Sequence, residues 1–294
     1  MTLTRRTLLG ASGALAALPL TARGQDQTNG PVEKPGQTKN TKFAVNVEMW
    51  FGGMPFLDRI AAAADLGFPA VEFWPWRGKD LDAIKALIDE RGIVVTQFTG
   101  WGFNPRMNET KNHDQLESEI RESCAAAKKL GTKMMTVIAG QNVKGLTQEE
   151  MHANVIAGLK RIKSIAEGED VMLILEPLNI RRDHKGHCLS RSEDAIRICQ
   201  EVDSTHVKIN WDLYHQQITE GDLCGHMREG IDHIGYLQLA DHPGRTEPGT
   251  GEIAYWRVLK EAKELGYTGY VGLECRPKDT PEEAAQRIYR ADQW

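Results

Sequence analysis

The sequence has no excess of positive charge, no closely spaced cysteine pair and no uncharged apolar run long enough to span a membrane. Its 36 Lys and Arg residues are outnumbered by 41 Asp and Glu residues, and the formal net charge is −5. An extended nucleic-acid surface needs a basic excess, so this balance argues against a nucleic-acid partner. The five cysteines form no CxxC pair, which argues against a disulfide framework and a structural zinc site.

The amino-terminal segment has the pattern of an export signal. Arg5 and Arg6 precede an uncharged apolar run over residues 8–20, which is shorter than the ~20 residues of a membrane span. This pattern resembles a twin-arginine signal and predicts that residues 1–24 are removed, leaving an exported, periplasmic protein without a membrane anchor. A disordered basic terminus is the alternative. Residues 25–41 are polar, with Gly and Pro, and predict a flexible linker.

Residues 42–294 alternate short apolar runs with amphipathic stretches, a pattern typical of parallel βα units. The apolar runs predict strands at residues 43–47, 70–74, 93–98, 133–138, 171–175, 207–211, 234–239 and 270–273. The amphipathic stretches predict helices that include residues 54–66, 80–91, 114–130, 148–167, 192–201 and 254–265. Eight such units in roughly 250 residues predict an α/β fold, a single-domain (β/α)8 TIM barrel, with a doubly wound open sheet as the alternative.

Oxygen-bearing side chains mark four consecutive predicted strands. Glu176, Asp212 and Glu274 lie at the ends of strands five, six and eight, and Gln238 lies on strand seven. Their odd-numbered neighbours are mostly large and apolar, and side chains alternate faces along a strand, so the four should face the barrel axis together. A divalent metal would relieve the repulsion between three carboxylates, and an all-oxygen set suits Mg²⁺ or Mn²⁺. A single residue of this kind would instead suggest a helix cap or a salt bridge.

Three further residues are candidates for substrate binding at the same rim. His215 follows Asp212 by one helical turn, although a histidine there is also a common structural group. The loop after strand seven carries His242 and Arg245, and the arginine is suited to clamp a substrate carboxylate or hydroxyl. An ion pair between Arg245 and Glu247 is the structural alternative.

Other groups on the predicted strands and loops allow a structural role. The alternation of side chains along the second predicted strand allows Glu72 to face the barrel interior. We expect a structural ion pair for it, and Lys208 is one possible partner. Several aromatic residues follow the first three strands and would either cover the site and exclude water or pack in the core: Trp50, Phe51, Trp74, Trp76, Trp101 and Phe103.

Several segments together resemble the hydroxypyruvate isomerase family, which belongs to the xylose-isomerase-like TIM barrels. They are residues 176–179 (EPLN), 212–215 (DLYH), 238–253 (QLADHPGRTEPGTGEI) and 272–274 (GLE). The resemblance covers essentially the whole predicted barrel, and the loop after strand seven is its most specific part. The loop at residues 179–187 departs from the family pattern, because it has an extra residue and lacks the usual Pro and aromatic residue.

The resemblance implies which residues act in the site. It assigns the metal ligands to Glu176, Asp212, Gln238 and Glu274, with the two glutamates doubling as the proton-transfer pair. The related ketose 3-epimerases usually have His in place of Gln238, so the glutamine favours the isomerase branch. We therefore expect a metal-dependent enzyme that converts hydroxypyruvate to 2-hydroxy-3-oxopropanoate through an enediolate.

The expected substrate is a small hydroxy-carbonyl compound, and its charge affects the site. Three carboxylates and one divalent cation sum to −1, so an anionic substrate needs the positive charge of Arg245, with His215 or His242. A ketose 3-epimerase and a non-catalytic exported sugar-binding barrel are the alternatives. A nuclease of the same superfamily is disfavoured by the acidic charge and by the lack of a His-rich ligand set. Homo-oligomerisation stays open.

Overall fold

The computed structural model describes residues 30–294. The predicted export signal lies outside the described residues, and so does the first part of the predicted linker. The rest of that linker packs against the barrel: Val32 N donates to Gln286 Oε1 at 3.1 Å, and Gly36 N donates to Leu66 O at 2.9 Å. Asn40 N donates to Asp292 Oδ2 at 2.6 Å. A flexible linker is therefore the wrong description of residues 32–41, because polar segments also become ordered when their backbone groups find partners.

Eight parallel strands close into a barrel in sequential order, which confirms the predicted fold class. The strands are β1 Lys42–Asn46, β2 Ala70–Phe73, β3 Val94–Trp101, β4 Met134–Val137, β5 Met172–Leu175, β6 Val207–Asp212, β7 Ile234–Leu239 and β8 Tyr270–Leu273. In-register pairing of β1 with β8 completes the ring, with Phe43 opposite Val271. Because all the strands run in one direction, their carboxyl ends meet at one rim of the barrel.

Helices surround the barrel and follow the strands. They are α1 Phe56–Asp65, α2 Leu81–Arg91, α3 His113–Leu130, α4 Gln148–Glu169, α5 Ser192–Val202, α6 Leu213–Thr219, α7 Leu223–Gly230, α8 Tyr255–Glu264 and α9 Pro281–Ala291. Gly92 and Gly131 end α2 and α3 in the left-handed conformation, as their sequence positions indicate. Thr147 and Glu150 form a capping box that begins α4. Among residues 30–294, no helix has the length and apolar character needed to cross a bilayer.

The interior of the barrel is polar below the rim. Glu72 is fully buried and accepts hydrogen bonds from Gln238 Nε2 at 2.8 Å and Tyr236 Oη at 2.8 Å. Lys208 instead donates to Asp232 O at 2.6 Å on the outside of the molecule. The structural ion pair expected for Glu72 is therefore wrong, and Lys208 is not its partner: neutral donors satisfy this carboxyl. A Cβ atom on Gly272 would collide with it, so glycine allows the close approach.

Candidate active site

Three carboxylates from β5, β6 and β8 meet at the carboxyl-terminal rim of the barrel. Glu176 and Glu274 directly follow their strands, and Asp212 ends β6. One ligand atom of each, together with one ring nitrogen of His215, lies within 4.8 Å of all the others. Asp212 is the N-cap of α6, and its Oδ1 accepts a hydrogen bond from Tyr214 N at 2.8 Å. This bond fixes the orientation of the carboxylate. The convergence expected from the strand alternation is thus observed for these carboxylates.

Burial sets the electrostatics of this cluster. It raises the pKa of Glu176 well above the usual range, and the charges of Glu274 and Asp212 raise that pKa further. Burial also raises the pKa of Asp212, while the Arg245 guanidinium opposes the shift. Asp212 Oδ2 is buried and has no hydrogen-bond partner among the described residues. A cation that contacted this oxygen would remove both the repulsion and the unsatisfied acceptor.

Gln238 lies beside this cluster and is oriented from below. Its Nε2 donates to Glu72 Oε1 at 2.8 Å, and its Oε1 accepts from Asn210 Nδ2 at 2.6 Å. Gln238 also lines the large cavity described below. The structure therefore places the fourth predicted ligand at the base of the site, with its amide orientation fixed by hydrogen bonds to the barrel interior.

His215 is fully buried within the carboxylate cluster. Its Nδ1 accepts a hydrogen bond from Asn179 Nδ2 at 2.6 Å, because Asn179 Oδ1 already accepts from the backbone of Arg182 and Asp183. Its Nε2 lies 3.6 Å from Asp212 Oδ2. Burial, followed by the Arg245 charge, lowers the pKa of His215 well below its ordinary value. The imidazole is therefore neutral at pH 7 and carries its proton on Nε2, so it presents an N–H donor to the oxygen atoms of the cluster.

Arg245 points into the site from the loop after β7. Its Nη2 lies 2.5 Å from Glu274 Oε2 and 3.6 Å from Asp212 Oδ2. The alternative pairing with Glu247 is wrong, because Glu247 is buried and pairs with Arg287. Arg245 has a φ of +56°, so the loop holds its backbone in a left-handed conformation that non-glycine residues seldom adopt.

His242 lies behind the site rather than in it. Its ring is 5.8 Å from the ring of Tyr214, and the residue does not line the large cavity. Tyr214 in turn stacks beneath the Arg245 guanidinium, with the Arg245 Cζ 5.0 Å from the ring centroid. The structure therefore brings Arg245 and His215 to the cavity but not His242, so the predicted substrate contact of His242 has no geometric support.

A cavity of about 550 Å³ opens from the carboxylates to the surface. The six aromatic residues expected either to cover the site or to fill the core divide between these roles. Trp74, Trp76 and Phe103 line the cavity, whereas Trp50, Phe51 and Trp101 are buried in the core. Position along the chain does not separate the two groups, because Trp50 and Phe51 also lie in a loop beyond a strand end.

His184 is a cavity residue that sequence reasoning missed. Its ring stacks on Phe103, with centroids 5.3 Å apart and an interplanar angle of 12°, and lies edge-on to the His215 ring at 5.2 Å. The residue belongs to the loop at 179–187, whose departure from the family pattern was the only available signal. Burial, then the charge of Arg245, lowers the pKa of His184, which keeps its ring neutral.

The residues present fit a divalent cation. Three carboxylates face one point, an Asp212 oxygen there lacks a partner, and a neutral imidazole adjoins it. Oxygen ligands suit Mg²⁺ and Mn²⁺, whereas the thiolate ligands of structural zinc sites are absent from the cluster. The buried cluster thus has the charge and the donor atoms that such an ion requires.

The chain matches one protein family and is similar to several known proteins. The family described as xylose isomerase-like TIM barrel matches residues 60–291. Hydroxypyruvate isomerase of Escherichia coli (strain K12) is 33% identical over 249 residues, which cover 82% of this chain and 95% of that protein. A 2-oxo-tetronate isomerase of Cupriavidus necator is 32% identical over 244 residues and covers 81% of this chain and 93% of that protein. A solved structure titled AP endonuclease, family 2, from Brucella melitensis superposes with a TM-score of 0.79 at 24% identity, covering 83% of this chain and 96% of that one, and supports the fold alone.

Proposed function

Because the chain belongs to the xylose isomerase-like TIM barrel family, we propose that it isomerises an α-hydroxy-carbonyl compound of the hydroxypyruvate type. The relatives over most of its length are isomerases, and the chain is an isomerase as well. The observation that carries the proposed reaction is the buried convergence of Glu176, Asp212, His215 and Glu274. Conversion of hydroxypyruvate to 2-hydroxy-3-oxopropanoate is the reaction that we propose.

The metal of this site would be held by Glu176, Asp212, Gln238 and Glu274. When bound, a divalent cation supplies Lewis acidity that polarises the carbonyl group of the substrate. His215 adjoins the same point and is held by Asn179, so its Nε2–H can orient a substrate oxygen. The fixed amide of Gln238 would contribute its oxygen without adding charge, which would keep the total negative charge of the site to three carboxylates.

Proton transfer is assigned to the two glutamates. Glu176 and Glu274 follow β5 and β8, which are separated by β6 and β7 in the ring, so their carboxylates can flank a bound substrate. One removes the carbon-bound proton to give an enediolate, and the other delivers a proton to the neighbouring carbon. Glu274 is held for this step by Trp74 Nε1, which donates at 2.8 Å, and by Arg245. Arg245 also offers its remaining N–H groups to a substrate carboxylate or hydroxyl.

Replacing either glutamate tests this assignment. We expect Glu176→Gln and Glu274→Gln to lower kcat by at least about a thousandfold while substrate binding largely survives, because each removes one proton carrier. Turnover is followed by NMR with hydroxypyruvate in D₂O, where an enediolate exchanges the C–H proton for deuterium. Glu193→Gln, at an exposed ion pair with Arg191, is the control and should keep its activity. Near-native turnover in either site variant would exclude the two-glutamate shuttle.

The same spectra separate the isomerase from the alternatives. A ketose 3-epimerase would invert one carbon of a ketose instead of moving the carbonyl group, and its products differ in the NMR spectrum. A sugar-binding barrel without activity would exchange no C–H proton with any compound. We also propose export: residues 1–24 should be missing from the periplasmic protein, which amino-terminal sequencing of that fraction checks.

A further inference from the structure

The Arg245 guanidinium reaches into the carboxylate cluster itself. Its Nη2 atom lies 2.5 Å from Glu274 Oε2, 3.6 Å from Asp212 Oδ2 and 3.4 Å from His215 Nε2. These three residues belong to the group whose ligand atoms all lie within 4.8 Å of one another. One nitrogen of the guanidinium is therefore beside the carboxylate oxygens that a divalent cation would contact.

Pairing with Arg245 and ligation of a metal ion draw on the same carboxylates. Glu274 Oε2 accepts from the guanidinium, and Asp212 Oδ2, which has no hydrogen-bond partner among the described residues, faces it from 3.6 Å. A divalent cation sits at about 2.0–2.6 Å from its carboxylate oxygens. Two positive charges this close together repel strongly in a buried site, because little water screens them. Each charge therefore weakens the hold of the other on the cluster.

The charge of Arg245 is permanent, and it has little compensation outside the cluster. The Arg245 Nε atom is buried and has no hydrogen-bond partner among residues 30–294. The only other contact of its charge described above is the face of the Tyr214 ring. Burial disfavours the charged form, but the charges of Glu274 and Asp212 outweigh burial and raise the pKa of Arg245, so the guanidinium stays protonated.

The backbone of Arg245 is fixed, whereas its side chain borders open space. Arg245 N donates to Asp241 O at 3.0 Å, and Arg276 N donates to Arg245 O at 2.9 Å. The side chain lines the cavity of about 550 Å³. Because an arginine side chain has several rotatable bonds, the guanidinium can turn from the carboxylates into this cavity while the loop keeps its conformation.

We propose that Arg245 is the internal counter-ion of the carboxylate cluster and competes with the divalent cation for Glu274 and Asp212. Binding of the ion then weakens the ion pair with Glu274 and frees the guanidinium to face a substrate in the cavity. Linkage makes the effect reciprocal, since anything that holds Arg245 away from the cluster strengthens metal binding by the same factor. This inference rests on the metal site proposed above and adds how its affinity is set.

Replacing the guanidinium by a neutral side chain tests the competition. Isothermal titration calorimetry measures the affinity for Mn²⁺ of the unmodified protein and of Arg245→Gln. We expect about tenfold tighter binding in the variant, because the ion no longer has to displace a positive charge. A role of Arg245 in substrate binding alone predicts an unchanged affinity, and a role in orienting Glu274 as a ligand predicts weaker binding. Either result would overturn the proposal.

Arg77→Gln controls for the general effect of removing a positive charge from the cavity. Arg77 lines the same cavity, but it forms its ion pair with Glu122 on α3, at 2.7 Å. Its affinity for Mn²⁺ should stay within about twofold of that of the unmodified protein, because an exposed pair of this kind is screened by water. An increase as large as that in Arg245→Gln would mean that net charge sets the affinity, and the competition would be wrong.

Thermal unfolding gives a second readout that does not depend on turnover and shows that the variant folds. In EDTA, Arg245→Gln should have a lower Tm than the unmodified protein, because Asp212 and Glu274 lose their counter-ion. Saturating Mn²⁺ should raise the Tm of Arg245→Gln by more than it raises that of the unmodified protein, because tighter binding to the folded state adds more stability. Equal increases in the two proteins would contradict the competition.

Failure of the metal site and failure of the competition give different results. If neither the unmodified protein nor Arg245→Gln binds Mn²⁺, the proposed metal site is wrong and the competition falls with it. If both bind the ion with the same affinity, the metal site stands and only the competition is wrong. Exchange of the hydroxypyruvate C–H proton for deuterium in the unmodified protein reports separately on the isomerase reaction.

Discussion

Glu72 shows how a single buried carboxylate can organise a site that it does not enter. Its Oε1 accepts from Gln238 Nε2 at 2.8 Å and Asn46 Nδ2 at 3.1 Å, and its Oε2 accepts from Tyr236 Oη at 2.8 Å and Gln97 Nε2 at 3.2 Å. Every lone-pair direction is therefore used by a neutral donor. Since these bonds require the Gln238 nitrogen to face downward, they determine which way the amide oxygen points.

Glu72→Gln changes this orientation with almost no change in volume. The new amide offers one acceptor oxygen in place of two, so Gln238 loses its fixed partner or rotates. We expect the affinity for Mn²⁺ to fall about tenfold, as it does when an outer partner of a metal ligand is removed. Isothermal titration calorimetry with Mn²⁺ measures this, and Glu193→Gln on the surface is the matched control. Equal affinities in the two variants would show that Glu72 does not position a ligand.

A second residue-scale prediction concerns acid stability. His187 is buried, its Nδ1 donates to Leu189 O at 2.7 Å, and burial lowers its pKa to about 4 from an ordinary 6.5. As the pH falls, His187 therefore binds a proton near pH 6.5 in the unfolded chain but only near pH 4 in the folded chain. The contribution of His187 is complete above pH 6.5 and is lost as the pH falls through this window, by about 3 kcal/mol in total.

Comparison of unfolding in urea at several pH values measures this contribution. The free energy of unfolding should fall more steeply between about pH 7 and about pH 4 in the unmodified protein than in His187→Gln, which has no group titrating there. If the two proteins are equally stable at neutral pH, the unmodified protein should therefore be the less stable of the two near pH 4. Parallel curves would mean that His187 is protonated as easily in the folded as in the unfolded chain.

At the scale of one element, the loop between β7 and α8 is held by a buried aspartate. Asp241 Oδ2 accepts from the backbone nitrogens of Gly249, Thr250 and Gly251 at 2.9, 3.1 and 2.9 Å. Its Oδ1 accepts from two more backbone nitrogens, those of His242 and Ile253. A loop of this length would otherwise be mobile, and these bonds give it the one conformation that directs its arginine into the site.

Asp241→Asn tests the loop as a unit. An amide side chain directs an NH₂ group toward backbone N–H groups, so several acceptor contacts are lost together. We expect the free energy of unfolding to fall by about 2–3 kcal/mol, because several hydrogen bonds are lost. We also expect kcat to fall, because Arg245 loses its position. Asp222→Asn is the control: Asp222 caps α7 through a single bond to Gly225 N, and asparagine caps a helix about as well, so this variant should lose well under about 1 kcal/mol of stability and keep its kcat. A wild-type kcat in Asp241→Asn would show that the loop does not direct Arg245.

At the scale of the whole molecule, the fold concentrates negative charge where it is least hydrated. Glu176, Asp212 and Glu274 are each less than a tenth exposed, and Arg245 pairs with Asp212 and Glu274. Closing the barrel is what brings them together, so their repulsion opposes folding of the entire chain. A bound divalent cation should therefore stabilise the molecule globally.

Metal addition and removal measure this effect. We expect saturating Mg²⁺ or Mn²⁺ to raise Tm by about 5 °C or more over the protein in EDTA, from linkage of binding to folding. In Glu176→Gln the Tm in EDTA should be higher and the metal-induced increase smaller, since one repelling charge is gone. Glu193→Gln should behave like the unmodified protein. An unchanged Tm on metal addition would argue against a cation at this cluster.

The amino-acid sequence by itself determined the alternation of elements and the positions of the rim carboxylates. Period-two strands and period-3.6 helices are local patterns, so they predict a parallel barrel without knowledge of long-range contacts. The same alternation placed Glu176, Asp212 and Glu274 on the inward face. Because the carboxyl ends of all strands in a parallel barrel lie at one rim, these three side chains meet there. Boundaries shifted by a few residues, as at β3, which continues to Trp101, because pairing with neighbours extends a strand beyond its apolar run.

Only the tertiary structure decided which partner each polar group has. Arg245 bonds Glu274 rather than the nearby Glu247, Glu72 is satisfied by amides rather than by Lys208, and His184 reaches the cavity. These choices depend on where loops far apart in the chain return to the rim. Partners of similar chemistry are available to each group, and the spacing of residues along the chain carries no measure of their distance in space, which the closed barrel alone sets.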